Sequence, residues 1–262
     1  TLNGDELVLI GDEAAIRSEL SKYTGWEGRV EIVHTTQVIG MDESPVDALR
    51  HKKDSSIVRM AVMAAEKTVD AVISAGNTGA CAAACQLKIR TIRGVDRPGI
   101  AVIVPSFHGP LVLCDVGANI AAKPKHLYQY AVMASLYSRD VLGVHNPRVG
   151  LISVGEEDGK GTSVVKKTRE LIREHSALNF IGNVEGRDLF RGAVDVAVCD
   201  GFVGNIVLKL IEGLADGLFK TIANEIAAEV PQYAKEFTPV MKKIWSNHDY
   251  SEYGGAPLLG LD

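Results

Sequence analysis

The sequence lacks the long apolar run that a membrane-spanning helix requires: no stretch reaches the roughly 18 consecutive apolar residues that cross a bilayer. It also lacks an excess of basic charge, since 28 Lys and Arg face 33 Asp and Glu, for a formal net charge of −5. This charge balance argues against a protein that coats nucleic acids through a basic surface. We also expect no secretory leader. These absences predict a cytoplasmic protein that binds no nucleic acid.

Cysteine is scarce, and its spacing is wrong for a metal site. The four cysteines stand at 81, 85, 114 and 199 and form no C-x-x-C pair. Cys81 and Cys85 share a helix face, but no second pair of ligands lies nearby in the sequence. Asp195 and Asp200 do not suggest a metal pair either, because their spacing places them on opposite faces of a strand. We therefore predict reduced thiols and no bound metal.

Several well-known catalytic signatures are also missing. The chain contains no G-x-S-x-G elbow, no P-loop, no H-E-x-x-H and no G-x-G-x-x-G. A covalent serine or cysteine mechanism is not visible, and we expect no cofactor.

The chain does contain a repeated order of apolar strand, glycine-bearing polar loop and helix. This order predicts an α/β fold with a doubly wound, mostly parallel sheet and helices on both faces. Apolar runs at 100–104 and 111–114, separated by Gly109-Pro110, predict an antiparallel hairpin inside that sheet. We expect one catalytic domain over residues 1–262, with a helical dimerisation or partner-binding segment at 206–250.

One stretch has the order of strand, glycine-containing turn and helix that is typical of a phosphate-binding site. Residues 69–73 read as a strand, 74–79 as a small-residue turn, and a small-residue helix follows from Ala80. Glycine lets the backbone approach an anion, and the first N–H groups of a helix point at it. The candidate phosphate residues are Ser74, Gly76, Asn77, Thr78 and Gly79. The alternative is an ordinary strand-to-helix turn with Thr78 as the N-cap.

Ligands of doubly wound sheets sit beyond the carboxyl ends of the strands. Five polar loops are therefore expected to converge there, at residues 74–79, 115–123, 155–161, 182–187 and 200–205. They supply a further set of candidate side chains and one glycine: Asp115, Asn119, Lys123, Lys160, Asn183, Glu185, Asp200, Gly204 and Asn205.

These residue types suit anion and oxyanion chemistry. Asparagine donates without charge, and lysine supplies mobile positive charge. For each asparagine the alternative is a turn or cap role, and for each lysine a solvated charge. For Asp115 and Asp200 the alternative is a carboxylate that caps a helix or orients a loop.

The last third of the chain predicts long helices. The helix from Ile206 to about Val230 has apolar residues on more than half its circumference, which fits either a subunit interface or a core helix. Residues 231–248 combine apolar side chains with Lys242 and Lys243, which suits contact with an acidic carrier protein or an anionic membrane.

The motifs resemble those of the PlsX-type phosphate acyltransferases in the same order over nearly the whole chain. The matching stretches are 74–80, Asp96-Arg97-Pro98, 115–119, Lys123-Pro124, His126-Leu127, 147–150, 157–161, 180–185, 200–205 and 250–260. Family patterns also include a strand with an Asp-Ala-Met-Gly-Gly-Asp turn and a His-Gly-Ser loop, and neither occurs in this chain. Thr162 stands where relatives commonly have asparagine.

The resemblance implies conversion of a long-chain acyl group on acyl carrier protein, with inorganic phosphate, into acyl phosphate. It also implies a homodimer with a fold similar to isocitrate and isopropylmalate dehydrogenases and to phosphotransacetylase. The product would feed a membrane glycerol-phosphate acyltransferase, so a peripheral position at the inner membrane face is compatible with it. Rival functions are a short-chain phosphotransacetylase using coenzyme A, a nicotinamide-dependent decarboxylating dehydrogenase and a non-catalytic acyl-carrier binding module.

For the acyl transfer we hypothesise that loop 76–79 cradles phosphate, with Lys123 or Lys160 neutralising it. Asn119 or Asn205 would donate to the oxyanion, and the two aspartates would orient these donors.

Overall fold

The computed structural model describes residues 4–174, 177–248 and 255–262. The chain divides into two compact units, residues 1–93 with 261–262, and residues 94–260. The expectation of one catalytic domain over the whole chain stays a prediction.

In its described residues, 4–93 with 261–262, the first unit contains a two-stranded parallel sheet and four helices. Strands β1 (Leu7–Gly11) and β2 (Val30–His34) pair in parallel. The helices are α1 (Glu13–Leu20), α2 (Pro45–His51), α3 (Ser56–Ala65) and α4 (Thr78–Lys88). Their starts follow local chemistry, since Asp12 and Ser55 cap α1 and α3 through side-chain oxygens and Pro45 begins α2.

The prediction of a strand at residues 69–73 is wrong. Residues 71–75 have no strand assignment, and Ile73 is 95% exposed. A β-strand forms only when a neighbouring strand accepts its backbone hydrogen bonds, and no described strand pairs with this segment. The apolar run was compatible with a strand, but among the described residues no neighbouring strand forms backbone hydrogen bonds with it.

The second unit contains a six-stranded sheet. Its elements in chain order are β3 (Gly99–Val104), β4 (Leu111–Cys114), α5 (Pro124–Leu142), β5 (Arg148–Ile152), α6 (Ser163–Arg173), β6 (Asn179–Val184), β7 (Val196–Val198), α7 (Gly201–Glu229), α8 (Ala234–His248) and β8 (Leu258–Leu259). The strand order is β6-β5-β7-β4-β3-β8. Strands β6, β5, β7 and β4 run parallel, whereas β3 is antiparallel to β4 and β8 is antiparallel to β3. The mostly parallel sheet and the antiparallel hairpin are confirmed.

Helices cover both faces of this sheet. Along β4, Val112 belongs to the core beneath α5 and α6, while Leu111 and Leu113 belong to the core beneath α7. This alternation follows from the two-residue period of a strand. The near-continuous apolar runs of the sequence therefore come from strands buried on both faces.

Helix α5 shows how closely local signals fix an element. Pro124 occupies its first turn, where the missing N–H costs nothing, and Gly143 ends it in the left-handed conformation. The sequence pattern predicts a helix from Ser163 to His175; α6 begins at Ser163 and ends at Arg173, and His175 lies outside the described residues.

Helices α7 and α8 expose much of their apolar surface. Leu210, Leu214 and Leu218 are more than half exposed, and so is Val240 of α8. Residues 249 and 250 of the predicted helical segment lie outside the described ranges. Within those ranges no helix is both long enough and apolar enough to span a bilayer.

Candidate functional site

The carboxyl ends of the four parallel strands bring four of the predicted loops to one edge of the six-stranded sheet. The loops after β4 and β7 lie side by side, as do those after β5 and β6. The fifth predicted loop, at 74–79, belongs to the other unit, so its convergence with the rest stays a prediction.

Asp115 organises the loop after β4. Its side chain is fully buried and accepts hydrogen bonds from the backbone N–H groups of Ile100, Gly117, Ala118 and Asn119, at 3.0, 3.2, 3.0 and 2.7 Å. Charge-assisted bonds to several N–H groups hold a carboxylate without a cationic partner. Asp115 is therefore placed to shape the loop rather than to meet a substrate.

The start of α7 packs directly on this loop. Asp200 caps the helix by accepting from the Val203 N–H at 2.9 Å, and the Gly201 N–H donates to the Asn119 carbonyl at 2.9 Å. A Cβ built at Gly201 would lie 2.9 Å from the Asp115 carboxylate, and one at Gly204 would overlap the Asp115 backbone carbonyl. Both positions thus require glycine because the two backbones touch.

Asn119 is held by the same framework. Its Nδ2 donates to the Pro98 carbonyl at 2.7 Å and lies 3.5 Å from the Asp115 carboxylate. Both N–H bonds of the amide are thereby directed at protein acceptors. Asn205, by contrast, is exposed in the second turn of α7.

The loops after β5 and β6 are joined to each other. Asn183 Nδ2 donates to the Glu157 carbonyl at 3.1 Å, and the Ser153 N–H donates to the Val184 carbonyl at 2.9 Å. Glu185 caps the short 3-10 helix Gly186–Phe190.

An arginine pair fixes the loop after β5 from the side of α6. Arg173 donates to both oxygens of Asp158, at 3.0 and 2.9 Å, and the buried Arg169 lies 3.7 Å from the same carboxylate. The hydrogen bonds from Arg173 hold the pKa of Asp158 below its ordinary value. The loop that carries Lys160 is therefore tied down on one side.

Both candidate lysines are exposed at this edge. Lys123 is the N-cap of α5, where its backbone N–H donates to His126 Nδ1 at 3.2 Å, and Lys160 follows Asp158 in the loop after β5. Burial lowers the pKa of His126, which keeps its ring neutral and able to accept that bond. Among the described residues, neither lysine forms an ion pair.

Asn77, rather than Thr78, is the N-cap of α4. Its Oδ1 accepts from the Ala80 N–H at 3.0 Å, and its Nδ2 faces the carbonyls of Gly40, Met41 and Glu43 at 3.1 to 3.4 Å. Asn77 is buried, and both its side-chain oxygen and its side-chain nitrogen form hydrogen bonds with the backbone. The alternative interpretation of the sequence placed the N-cap at Thr78; the structure places it one residue earlier, at Asn77.

The rest of this turn is more open. Gly76 and Thr78 are exposed, whereas a Cβ built at Gly79 would lie 2.8 Å from the Pro45 side chain. Ser74 Oγ accepts from the Gly76 N–H at 3.2 Å. Gly76 and Thr78 are therefore the positions of this turn that an anion can approach.

The cysteines are free, as expected, but differ in chemistry. Burial raises the pKa values of Cys114 and Cys199 well above the ordinary thiol value. A hydrogen bond from Cys85 lowers the pKa of Cys81 to about 7 and raises that of Cys85. Among the described residues no group of three or more potential ligands could hold a metal ion. Asp195 instead pairs with Arg148 at 2.9 Å.

The sequence reasoning missed three apolar residues at this edge. Ile120 and Val154 are 72 and 83% exposed in the loops after β4 and β5, and Phe202 is 60% exposed in the first turn of α7. Ile120 directly follows Asn119 and Phe202 directly follows Gly201, inside segments interpreted for their polar groups, whereas Val154 directly precedes the predicted loop 155–161.

We expect Asn77→Ala to lower the free energy of unfolding by about 2 kcal/mol, because it removes a helix cap and leaves three carbonyls without their donor. Urea denaturation followed by circular dichroism measures this. Thr78→Ala is the matched control and should change stability by less than about 0.5 kcal/mol. The reverse order of effects would mean that Thr78 caps α4.

Comparison with known sequences identifies the relatives of this chain. The family model described as "Fatty acid synthesis protein" matches residues 2–262. Proteins named phosphate acyltransferase are 47% identical in Pelotomaculum thermopropionicum and 44% identical in Nitratidesulfovibrio vulgaris strain DP4, each over 98% of this chain and 75% of the relative. A third, from Dictyoglomus turgidum, is 43% identical over 98% of this chain and 77% of the relative.

Solved structures with a similar fold include two phosphotransacetylases. EutD phosphotransacetylase from Staphylococcus aureus gives a TM-score of 0.55 at 17% identity, covering 80% of this chain and 74% of its own. A phosphotransacetylase from Streptococcus pyogenes gives 0.53 at 15% identity, covering 81 and 83%. At this identity the likeness concerns the fold alone.

Proposed function

The chain belongs to the fatty acid synthesis protein family, and we propose that it is a phosphate acyltransferase acting on a long-chain acyl thioester of acyl carrier protein. The observation that carries this function is the 43 to 47% identity to proteins named phosphate acyltransferase, over 98% of the chain. The two phosphotransacetylases share only 17 and 15% identity with this chain, so their likeness supports the fold and not their own reaction.

The reaction is a thioester phosphorolysis. A phosphate oxygen attacks the thioester carbonyl, the carbon–sulfur bond breaks, and the proton of hydrogen phosphate goes to the departing thiolate. The products are acyl phosphate and the free carrier thiol. Because phosphate is already a nucleophile, the protein must mainly orient the two substrates and stabilise the oxyanion.

The exposed lysines are the proposed phosphate-neutralising groups. Lys160 is our first choice, because Asp158 and its two arginines fix the loop on which it stands. Lys123 is the second choice, since only its backbone is used in capping α5.

We assign the oxyanion donor to Asn205 in preference to Asn119. The amide of Asn119 is already directed at Pro98 and Asp115, whereas Asn205 is exposed beside the same loop. Asp115 and Asp200 act as positioning residues through the backbone groups they hold. Asn183, Glu185 and Gly204 are also proposed to shape the substrate site, because each fixes or closely contacts backbone at this edge.

The turn at 74–79 remains a proposed phosphate-binding element. Ser74, Gly76 and Thr78 would contact the anion, Gly79 would allow close approach, and Asn77 would hold the turn in shape. The exposure of Gly76 and Thr78 supports this assignment.

The function is tested by incubating the protein with palmitoyl-acyl carrier protein and labelled phosphate, with acetyl coenzyme A as competitor. We expect labelled palmitoyl phosphate. Formation of acetyl phosphate alone would establish a phosphotransacetylase, and binding without phosphate-dependent turnover would establish a binding module.

Lys160→Ala should lower kcat/KM for this reaction about 100-fold, because it removes a charge aimed at phosphate and oxyanion. Lys123→Ala should have the larger effect if Lys123 is the neutralising group instead. Lys220→Ala is the control, since Lys220 pairs with Asp216 on the exposed surface of α7. Rates within about twofold of wild type for both site variants would refute the assignment.

We further propose that the chain has a fold of the isocitrate and isopropylmalate dehydrogenase kind, and that α7 and α8 form a homodimer contact. The exposed leucines at 210, 214 and 218 support this, because a surface of this kind is costly in water. Leu214→Ser with Leu218→Ser should then yield monomers in sedimentation velocity, and an unchanged dimer would count against the contact.

The pair Lys242 and Lys243 on α8 supports a peripheral contact of this cytoplasmic protein with an anionic membrane or with the acidic carrier. Both lysines are exposed, next to the apolar residues Phe237 and Val240. Low-salt binding to phosphatidylglycerol liposomes should be lost on Lys242→Glu with Lys243→Glu. No binding by the wild type would discard the membrane contact. The proposal that the product passes to a membrane glycerol-phosphate acyltransferase rests on this same contact.

A further inference from the structure

Two cysteines on helix α4 form a thiol pair that the proposed chemistry does not use. Cys81 and Cys85 are four residues apart, so their side chains lie one turn apart on the same face of the helix. Both are free thiols, and the Cys85 thiol donates a hydrogen bond to the Cys81 sulfur. The pair is therefore in contact without being covalently joined.

Cys81 lies in the first turn of α4, at the positive end of the helix dipole. Its backbone N–H donates to the carbonyl of the N-cap residue Asn77 at 2.9 Å. Aligned peptide dipoles at this end of a helix favour a thiolate. The hydrogen bond from Cys85, together with a second from Ser74, outweighs burial and lowers the pKa of Cys81 to about 7. A large fraction of Cys81 is therefore ionised at neutral pH.

Ser74 connects this thiol to the turn that precedes α4. Its hydroxyl donates to the Cys81 sulfur, and its Oγ accepts from the Gly76 N–H at 3.2 Å. Ser74 and Gly76 are exposed and Cys81 is partly exposed, so a small solute can reach the sulfur. A chemical change at this sulfur acts through Ser74 on the Gly76 backbone.

The other three thiols are poorly suited to reaction. Cys114 and Cys199 lie in the cores of the second unit, and burial raises their pKa values. Cys85 is 3% exposed, and its hydrogen bond to Cys81 raises its pKa. Because the thiolate is the form that oxidants attack, Cys81 is the reactive position among the four.

We propose that Cys81 is a peroxide-sensitive thiol, held by Cys85 and Ser74, whose reversible oxidation to a sulfenic acid weakens phosphate binding at the adjoining turn. The weaker phosphate binding rests on the proposed function, whereas the oxidation itself does not depend on it. Since Ser74 must move to admit the added oxygen, the Gly76 N–H loses its present orientation.

The oxidant is a hydroperoxide. The Cys81 thiolate attacks one peroxide oxygen, a sulfur–oxygen bond forms, the oxygen–oxygen bond breaks, and hydroxide leaves and takes up a proton to give water. Sulfur loses two electrons and the peroxide gains them. A disulfide with Cys85 does not follow, because Cβ atoms four residues apart on a helix are about 5–6 Å apart and a disulfide needs about 3.5–4.5 Å.

Trapping of the sulfenic acid tests the site. The reduced protein is treated with stoichiometric hydrogen peroxide and dimedone, which adds to sulfenic acids, and peptide mass spectrometry locates the adduct. We expect the adduct on Cys81 alone, and none in Cys81→Ser. An adduct on another cysteine, no adduct at all, or a disulfide between Cys81 and Cys85 would overturn the proposal.

Two variants measure the contribution of each hydrogen bond. Cys85→Ala should slow adduct formation at neutral pH about tenfold, because the pKa of Cys81 returns toward the ordinary thiol value. Ser74→Ala should slow it about threefold. Leu87→Ala is the matched control, since Leu87 is 68% exposed and lies about 120° around α4 from Cys81. Equal rates in all three variants would overturn the roles of Cys85 and Ser74.

Calorimetric titration with inorganic phosphate tests the consequence for the turn. Peroxide treatment of the wild type should weaken phosphate binding about fivefold, and dithiothreitol should restore it. Cys81→Ser should bind phosphate equally before and after treatment. Unchanged binding by protein oxidised at Cys81 would overturn the link to the turn.

These measurements are independent of turnover. If the untreated protein made no acyl phosphate, the proposed function would fail, and trapping and phosphate titration would still decide this inference. Acyl phosphate formation that is unchanged after oxidation of Cys81 would leave the proposed function standing and overturn the inference.

Discussion

Gly204→Ala should lower the free energy of unfolding by about 3 kcal/mol and abolish acyl phosphate formation. The added methyl group would overlap the Asp115 backbone carbonyl, and the Cys199 sulfur lies 3.1 Å away on another side. A flexible side chain can move aside, but this neighbour is the backbone of a loop held by four hydrogen bonds. Overpacking against a fixed backbone is among the costliest single-methyl changes.

The same helix offers a matched control for Gly204→Ala. Gly213 is nine residues further along α7, and a Cβ built there meets nothing within 4 Å. Gly213→Ala should therefore raise the stability by up to about 1 kcal/mol through helix propensity alone. Chemical denaturation measures both variants, and equal stabilities would show that α7 does not contact the Asp115 loop as described.

Asp115→Asn should cost about 3 kcal/mol of stability and most of the activity, although the two side chains have nearly the same shape. The carboxylate accepts from four backbone N–H groups and one side-chain amide, with 0% exposure. Asparagine would turn an NH2 group toward those donors, so buried N–H groups would lose their acceptor.

Recovery of activity under stabilising conditions distinguishes a positioning role of Asp115 from a direct chemical role. If it only shapes the loop, partial activity of Asp115→Asn should return at low temperature or with a stabilising solute, with KM recovering alongside kcat. Asp216→Asn, which alters an exposed surface pair, should leave the unfolding midpoint unchanged. Full stability of Asp115→Asn would show that the loop does not depend on the carboxylate.

The sequence was sufficient to predict most elements, because their signals are local. Two short apolar runs around Gly109-Pro110 marked the hairpin, and the apolar pattern from Ile206 to about Val230 marked most of α7. Strand-to-loop junctions were also predictable, so Asp115 and Asp200 were expected at the carboxyl edge of the sheet before their partners were known.

The strand at 69–73 shows where local signals fail. A β-branched apolar run has the propensity for a strand, but strand formation needs a partner in register. Partner availability is a property of the whole fold. The same limit applies to the N-cap of α4, where the choice of Asn77 over Thr78 depends on three carbonyls at residues 40–43.

Periodicity and turn chemistry act over a few neighbouring residues, so they were enough to predict the mostly parallel sheet and the residue types that gather at its edge. Which of those polar side chains form hydrogen bonds within the protein, and which are exposed, became evident from the folded structure. It showed that Asn77 and Asn119 are engaged, that Lys160 and Asn205 are exposed, and that Ile120 and Phe202 flank one backbone contact. The physical reason is that hydrogen bonds and close packing join residues distant in the chain, and a local pattern does not specify such partners.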